Sequence, residues 1–172
     1  RGPAAALLRS PHLGLDVTAR DVDGLDRALA EQSYLGDPDA LARLVERWEQ
    51  DAEQRGRMTR AARAGRVLLT AAEELAPLQA ARPLAAHLDT LLAFVSAHDA
   101  APLADASAFG ETMRARHLRA RAAVLTTLTT LRDAFARFDD EPVSFHDLRA
   151  LVRRWIDAQT FAPRTGDGGV HV

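Results

Sequence analysis

Apolar residues recur along the chain at helical spacing, and turn-forming residues separate the recurrences. A stretch from Ala4 to Arg9 predicts a short helix that stops before Pro11, because the residue before a proline is pushed out of the helical region. Thr18-Ala19-Arg20-Asp21 has the form of a capping box, with Asp in place of the usual Glu. Val22, Leu25 and Leu29 follow on one stripe, and the expected helix runs to about Tyr34-Leu35, where Gly36 ends it. Asp37-Pro38 predicts the next start, a cap followed by proline at the first helical position. Its buried face is Leu41, Leu44, Val45 and Trp48. Gly56 is expected to break or bend the chain there. A further helix runs from about Met58 to Leu75, with Met58, Ala62, Leu68, Ala72 and Leu75 on one face.

Pro77 and Pro83 bracket a turn. Leu84, Leu88, Leu91, Leu92 and Val95 then predict another amphipathic helix. Ala100 to Gly110 reads as a loop with some local helix. A long helix is expected from about Glu111 to Phe138, with Leu118, Leu125, Leu128, Leu131, Phe135 and Phe138 as core candidates. Asp139-Asp140-Glu141-Pro142 interrupts it, and Ser144-Phe145-His146-Asp147 is a second capping-box-like start. Leu148, Leu151, Val152, Trp155 and Ile156 form the clearest 3.6-residue stripe in the chain and are expected to be buried. No internal repeat is present. Short connections between helices predict an all-α fold, an irregular antiparallel helix bundle.

The last residues depart from this pattern. A Pro/Gly loop leads into Val170-His171-Val172, which alternates like a strand. So short a strand has no ladder partner of its own, and is expected to belong to a neighbouring domain. Arg1 is not an initiator. The chain therefore reads as a piece of a larger protein: one helical domain over residues 1–172, with 1–12 and 160–172 as connections.

Composition narrows the chemistry. A formal net charge of -2 argues against a generally basic nucleic-acid binder. With no Cys, disulfides, thiolate-zinc sites and Cys nucleophiles are excluded. All 22 basic residues are Arg. Without Lys there is no complete P-loop, Schiff-base centre or PD-(D/E)XK nuclease centre in this segment. No apolar run reaches the length of a membrane span and no signal peptide is visible, so no membrane partner is expected and the cytoplasm is the expected compartment.

Charge falls in blocks. Residues 1–54 hold six Arg against eleven acids, whereas 55–66 hold five Arg and no acid: Arg55, Arg57, Arg60, Arg63 and Arg66. A second basic block, Arg114, Arg116, Arg119 and Arg121, surrounds His117. Helical i, i+3 spacing draws the first set into a slowly drifting stripe. Guanidinium forks match phosphate oxygens, so both blocks are candidate DNA-backbone contacts. The plainer reading is a solvated face whose Arg pair with acids on neighbouring helices. His87 and His98 fall nearly on one helix face, but no third ligand converges on them, and no metal is expected. Asp139, Asp140 and Glu141 lack the spacing of a calcium loop and read as a solvated turn. Ser144 is explained by capping, and Trp48 and Trp155 by the core.

Three stretches carry a family likeness. "ALLRSPHLGL" resembles the chain leaving a helicase core, and "RRWIDAQTFAPRTGDGGVHV" resembles its return to that core. "LDRALAEQSYLGDPDALARLVERW" fits the same place. Together they resemble the helical 2B-like insertion of UvrD-like superfamily 1 helicases, most closely AddB-type helicase–nuclease subunits with a PD-(D/E)XK nuclease domain. The resemblance implies an accessory domain that contacts or orients DNA and regulates the motor in double-strand-break repair. It implies that ATP and Mg act in the parent protein, outside this segment, and that no catalytic residue lies here. The implied partners are DNA, the helicase core of the same chain and a second helicase–nuclease subunit. The alternatives are a helical protein–protein interaction module of an unrelated multidomain protein and a small all-α enzyme.

Overall fold

The computed structural model describes residues 2–50, 52–100, 107–138 and 141–158, and of these the side chains of all but 52–55 and 108. Within this set the α-helices are α1 (Gly2–Leu8), α2 (Ala19–Glu31), α3 (Pro38–Gln50), α4 (Ala52–Leu75), α5 (Leu84–Ala97), α6 (Ala108–Phe138) and α7 (Phe145–Asp157). A 3-10 turn, Ala76–Gln79, follows α4, and two two-residue strands, β1 (Arg82–Pro83) and β2 (Pro142–Val143), pair antiparallel. Helix makes up 80% of the described residues, so the fold is all-α, as the apolar spacing predicts. The expected strand at 170–172, and the connection from 160 onward, lie outside the described residues.

Local chemistry sets the start of α2. The Thr18 hydroxyl accepts from the Asp21 amide at 3.2 Å, and the Asp21 carboxylate accepts from the Thr18 amide at 2.9 Å and its hydroxyl at 2.7 Å. Asp thus completes the box in place of Glu. The hydroxyl bond, followed by the amide bond, holds the Asp21 carboxyl below its ordinary 3.8. A pKa lowered by folding contributes stability that is present above the unfolded value and lost as pH falls through the folded one. The melting-temperature difference between the protein and Asp21→Ala is therefore expected to be constant near neutrality and to shrink only below about pH 4. A difference that stayed constant down to pH 2.5 or so would remove this linkage.

The end of α2 differs from expectation. The helix stops at Glu31, not at Tyr34-Leu35. Ser33 takes the left-handed conformation (φ 50°), its amide bonds to Ala30 O at 3.1 Å, and the Tyr34 amide bonds to Leu29 O at 3.0 Å. These are the two bonds of a Schellman stop, made with Ser where Gly is usual. Gly36 (φ 113°) turns the connection that follows.

Gly56 does not interrupt α4, which runs unbroken through it. The predicted face of α4 is right in part: Ala62 is buried, and Met58, Leu68 and Leu75 are half-buried and pack on the cores. Ala61, Ala62, Ala64, Gly65 and Ala71 are buried, and Ala72 is exposed. Small residues let α2 and α3 approach closely. A Cβ on Gly24 would lie 3.2 Å from Arg60 Cβ, and one on Gly65 would lie 2.5 Å from Val45 Cγ2. α2 and α4 run antiparallel: Asp16 pairs with Arg63, while Gly24, farther along α2, faces the earlier Arg60 and Ala61. Around this contact sits the first core, with Leu8, Val22, Leu25, Leu29, Val45 and Trp48 at its centre. Leu8 is 5% exposed, so the expected connection 1–12 is partly built into the domain.

The second core joins Leu78, Leu84, Leu88, Leu128 and Leu148. α5 and α6 are antiparallel, with Asp89 opposite Arg132 and Val95 opposite Arg121. The β1–β2 ribbon ties the start of α5 to the start of α7, and His87 Nε2 donates to the Val143 carbonyl at 3.0 Å. A carbonyl only accepts, so this bond places the ring proton on Nε2. His87 is fully buried. On α7, Leu148 is buried, but Leu151, Val152, Trp155 and Ile156 are half-buried, so the expected face is right and its depth is not. On α6, Leu118 and Phe138 are exposed at 40% and 80%, against their expected places in the core. The halves meet where the Gly14 amide donates to His98 O at 2.8 Å, His98 Nε2 donates to Glu74 at 2.6 Å, and the His12 and His117 rings lie 5.4 Å apart.

Candidate nucleic-acid interface

Two basic blocks are candidates, and the fold treats their members differently. Arg63 donates to Asp16 at 2.8 Å, and Arg66 reaches Glu49 with its Nε 3.3 Å from Oε1. These are the pairs between neighbouring helices that a solvated face would make. Both are exposed, so each contributes at most about 1 kcal/mol and can exchange for another anion. The side chain of Arg55 lies outside the described residues.

Arg57 and Arg60 are in a different position. Neither has a carboxylate within ion-pair distance among the described residues, and both are exposed. They project from α4 into a groove of about 610 Å³ whose opposite wall is α2. That wall supplies Arg20 and Arg27, so four arginines line one groove. Its floor is Gly24, Ala28, Met58 and Ala61. The close approach at Gly24 brings the two walls together. Two carboxylates, Asp23 and Glu31, also line it. Asp23 is engaged by Arg9 at 2.7 Å, which leaves the lining net positive.

Arg20 and Arg27 were not among the sequence candidates, because they sit in the acidic first block. A signal was nevertheless present. Arg20, Gly24 and Arg27 follow i, i+4, i+7 spacing, which places all three on one helix face. Block charge averages over all faces of a helix and hides such a stripe.

In the second block, Arg114, Arg116 and Arg119 are exposed on α6 and do not line the groove. Arg121 points inward with 13% of its side chain exposed. It pairs with Asp99 and donates to Ala100 O at 3.2 Å and Val95 O at 3.4 Å. Val95 O lies in the last turn of α5, where carbonyls have no helical donor. Arg121 therefore caps α5.

Among the described residues no three His, Asp or Glu side chains converge as a metal site, and no helix is long and apolar enough to cross a membrane. No family model, curated protein or solved structure matches this chain.

Proposed function

We propose that this chain is a non-catalytic helical accessory domain that holds DNA phosphates in the α2/α4 groove. In this proposal it serves a cytoplasmic, ATP-dependent helicase–nuclease of the UvrD-like, AddB-type class acting in double-strand-break repair. ATP and Mg work in the motor, and the helicase core and a second helicase–nuclease subunit are the neighbours. One observation carries the DNA contact: four arginines on two antiparallel helices line a single groove in a chain that is acidic overall. From Arg20 to Arg27 the wall is about 10 Å long at 1.5 Å per residue. Four arginines along such a wall can neutralise about three phosphates of a duplex.

Binding to labelled duplex DNA is expected to be weak, since the chain is net negative. The slope of log K against log salt should lie near -3 for about three neutralised phosphates. Arg57→Gln with Arg60→Gln should flatten it by about two units and weaken binding equally for all sequences. Arg20→Gln with Arg27→Gln should do the same, whereas Arg114→Gln with Arg116→Gln should not. An unchanged slope in both groove variants would end the assignment.

A second reading, a protein–protein interaction module, is favoured by an open apolar cleft between α5 and α7.

A further inference from the structure

That cleft shares no residue with the arginine groove. α5 carries a single charged residue, Asp89, among 14. A helix so apolar around its circumference is normally buried on every side. α4, the 3-10 turn and α6 pack on it, yet Leu91 stays half-buried. The β1–β2 ribbon sets the start of α7 beside the start of α5, and the cleft is lined by α7 with Leu91 contributed by α5.

The apolar stripe of α7 is wider than the core uses. Leu148, Leu151, Val152 and Trp155 all belong to or pack on the second core. Phe145 and Ile156 continue the stripe outward and, with the outer sides of Val152, Leu148 and Leu91, line a cleft of about 350 Å³. Phe145 is 46% exposed there. The lining surface is almost wholly carbon, which suits methyl and aromatic groups and offers a phosphate nothing. Arg149 and Arg153 stand one turn apart along the outer edge. Among the described residues Asp157 answers them through a 3.7 Å pair with Arg153 in which both side chains are largely exposed. Such a pair is weak and gives way to a better-placed carboxylate.

We propose that the α5/α7 cleft docks an amphipathic partner helix whose apolar anchors are flanked by acidic residues. The apolar walls take anchors spaced i, i+4 and i+7, the usual contact of a helix lying in a groove. The two arginines select the charge of the flanks and steer the encounter. This stands whether or not the α2/α4 groove holds DNA.

The test is selection from a displayed library of short helical peptides, with leucines at i, i+4 and i+7 and random flanks, on the whole chain. Asp and Glu are expected to dominate the flanks. In fluorescence anisotropy, Arg149→Glu with Arg153→Glu should weaken the best peptide about tenfold, without moving the melting temperature, because both side chains are exposed. Phe145→Ala should also weaken it. Flanks with no acidic bias, affinity indifferent to the charge reversal, or no enrichment at all would each overturn the proposal. Sedimentation velocity adds one more such outcome: a concentration-dependent dimer abolished by Phe145→Ala would make the occupant a second copy of this chain instead.

Discussion

Trp48→Ala is expected to lower unfolding free energy by about 3–5 kcal/mol, the largest effect of any single substitution considered. Trp48 is 1% exposed and lies at the centre of the first core, where α3 meets α4. Its neighbours include Gly65, whose added Cβ would already stand 3.9 Å from the ring. With so close an approach by the α4 backbone, the helices have little freedom to close over the void. The loss is then the transfer of the indole plus most of the cavity term. Trp155→Ala is the control. That ring is half-buried and rests 5.7 Å from Phe135, so it leaves a dent that water fills. About half the cost of Trp48→Ala is expected, in proportion to the apolar area lost. Denaturant unfolding of both variants checks this, and equal costs would contradict the burial difference between α3 and α7.

Two glycines of α4 are expected to respond to alanine with opposite signs. Gly56 has open space where a Cβ would go, so Gly56→Ala should stabilise by about 0.5–1 kcal/mol through helix propensity alone. Gly65→Ala brings the same propensity gain, but its Cβ would lie 2.5 Å from Val45 Cγ2. Val45 is fully buried and β-branched, so it has no free rotamer to move into. Overpacking costs about 1–3 kcal/mol, and the net effect should be destabilising. Adding Val45→Ala should relieve the clash, so the double variant should lose less than the two single losses combined. Thermal melts of the four chains decide the matter. Stabilisation by Gly65→Ala would mean that α3 and α4 are farther apart than this contact implies.

These pairs show where sequence reading succeeds and where it stops. The stripe of α3 and the capping box of α2 are local: spacing within one turn, and side chains that reach their own backbone. Thr18 and Asp21 satisfy each other whatever packs outside them. The end of α2 was less legible, because Ser33 pays the strain of a left-handed backbone that Gly36 would have taken freely. Gly56 does not break α4 because propensity is a weak prior, and the packing of the rest of α4 on α2 and α3 carries the helix through it.

The candidate groove needed two helices at once. Arg57 and Arg60 were visible as part of a basic block, but Arg20 and Arg27 were masked by acidic neighbours on other faces of α2. Nothing local sorts Arg63 and Arg66, which meet carboxylates, from Arg57 and Arg60, which face a groove. That depends on what stands opposite each side chain. Arg121 makes the same point, since only the position of α5 turns it from a surface charge into a helix cap. By itself, the sequence determined that the chain is all-α, where most helices begin, and which apolar stripes of α2, α3, α5 and α7 face inward, because those follow from periodicity and short-range hydrogen bonds. Only the tertiary structure decided how deeply each stripe is buried, which small residues set the helix spacing, and which arginines share a groove. Those properties belong to pairs of helices brought together by packing, and no window along one helix contains both partners.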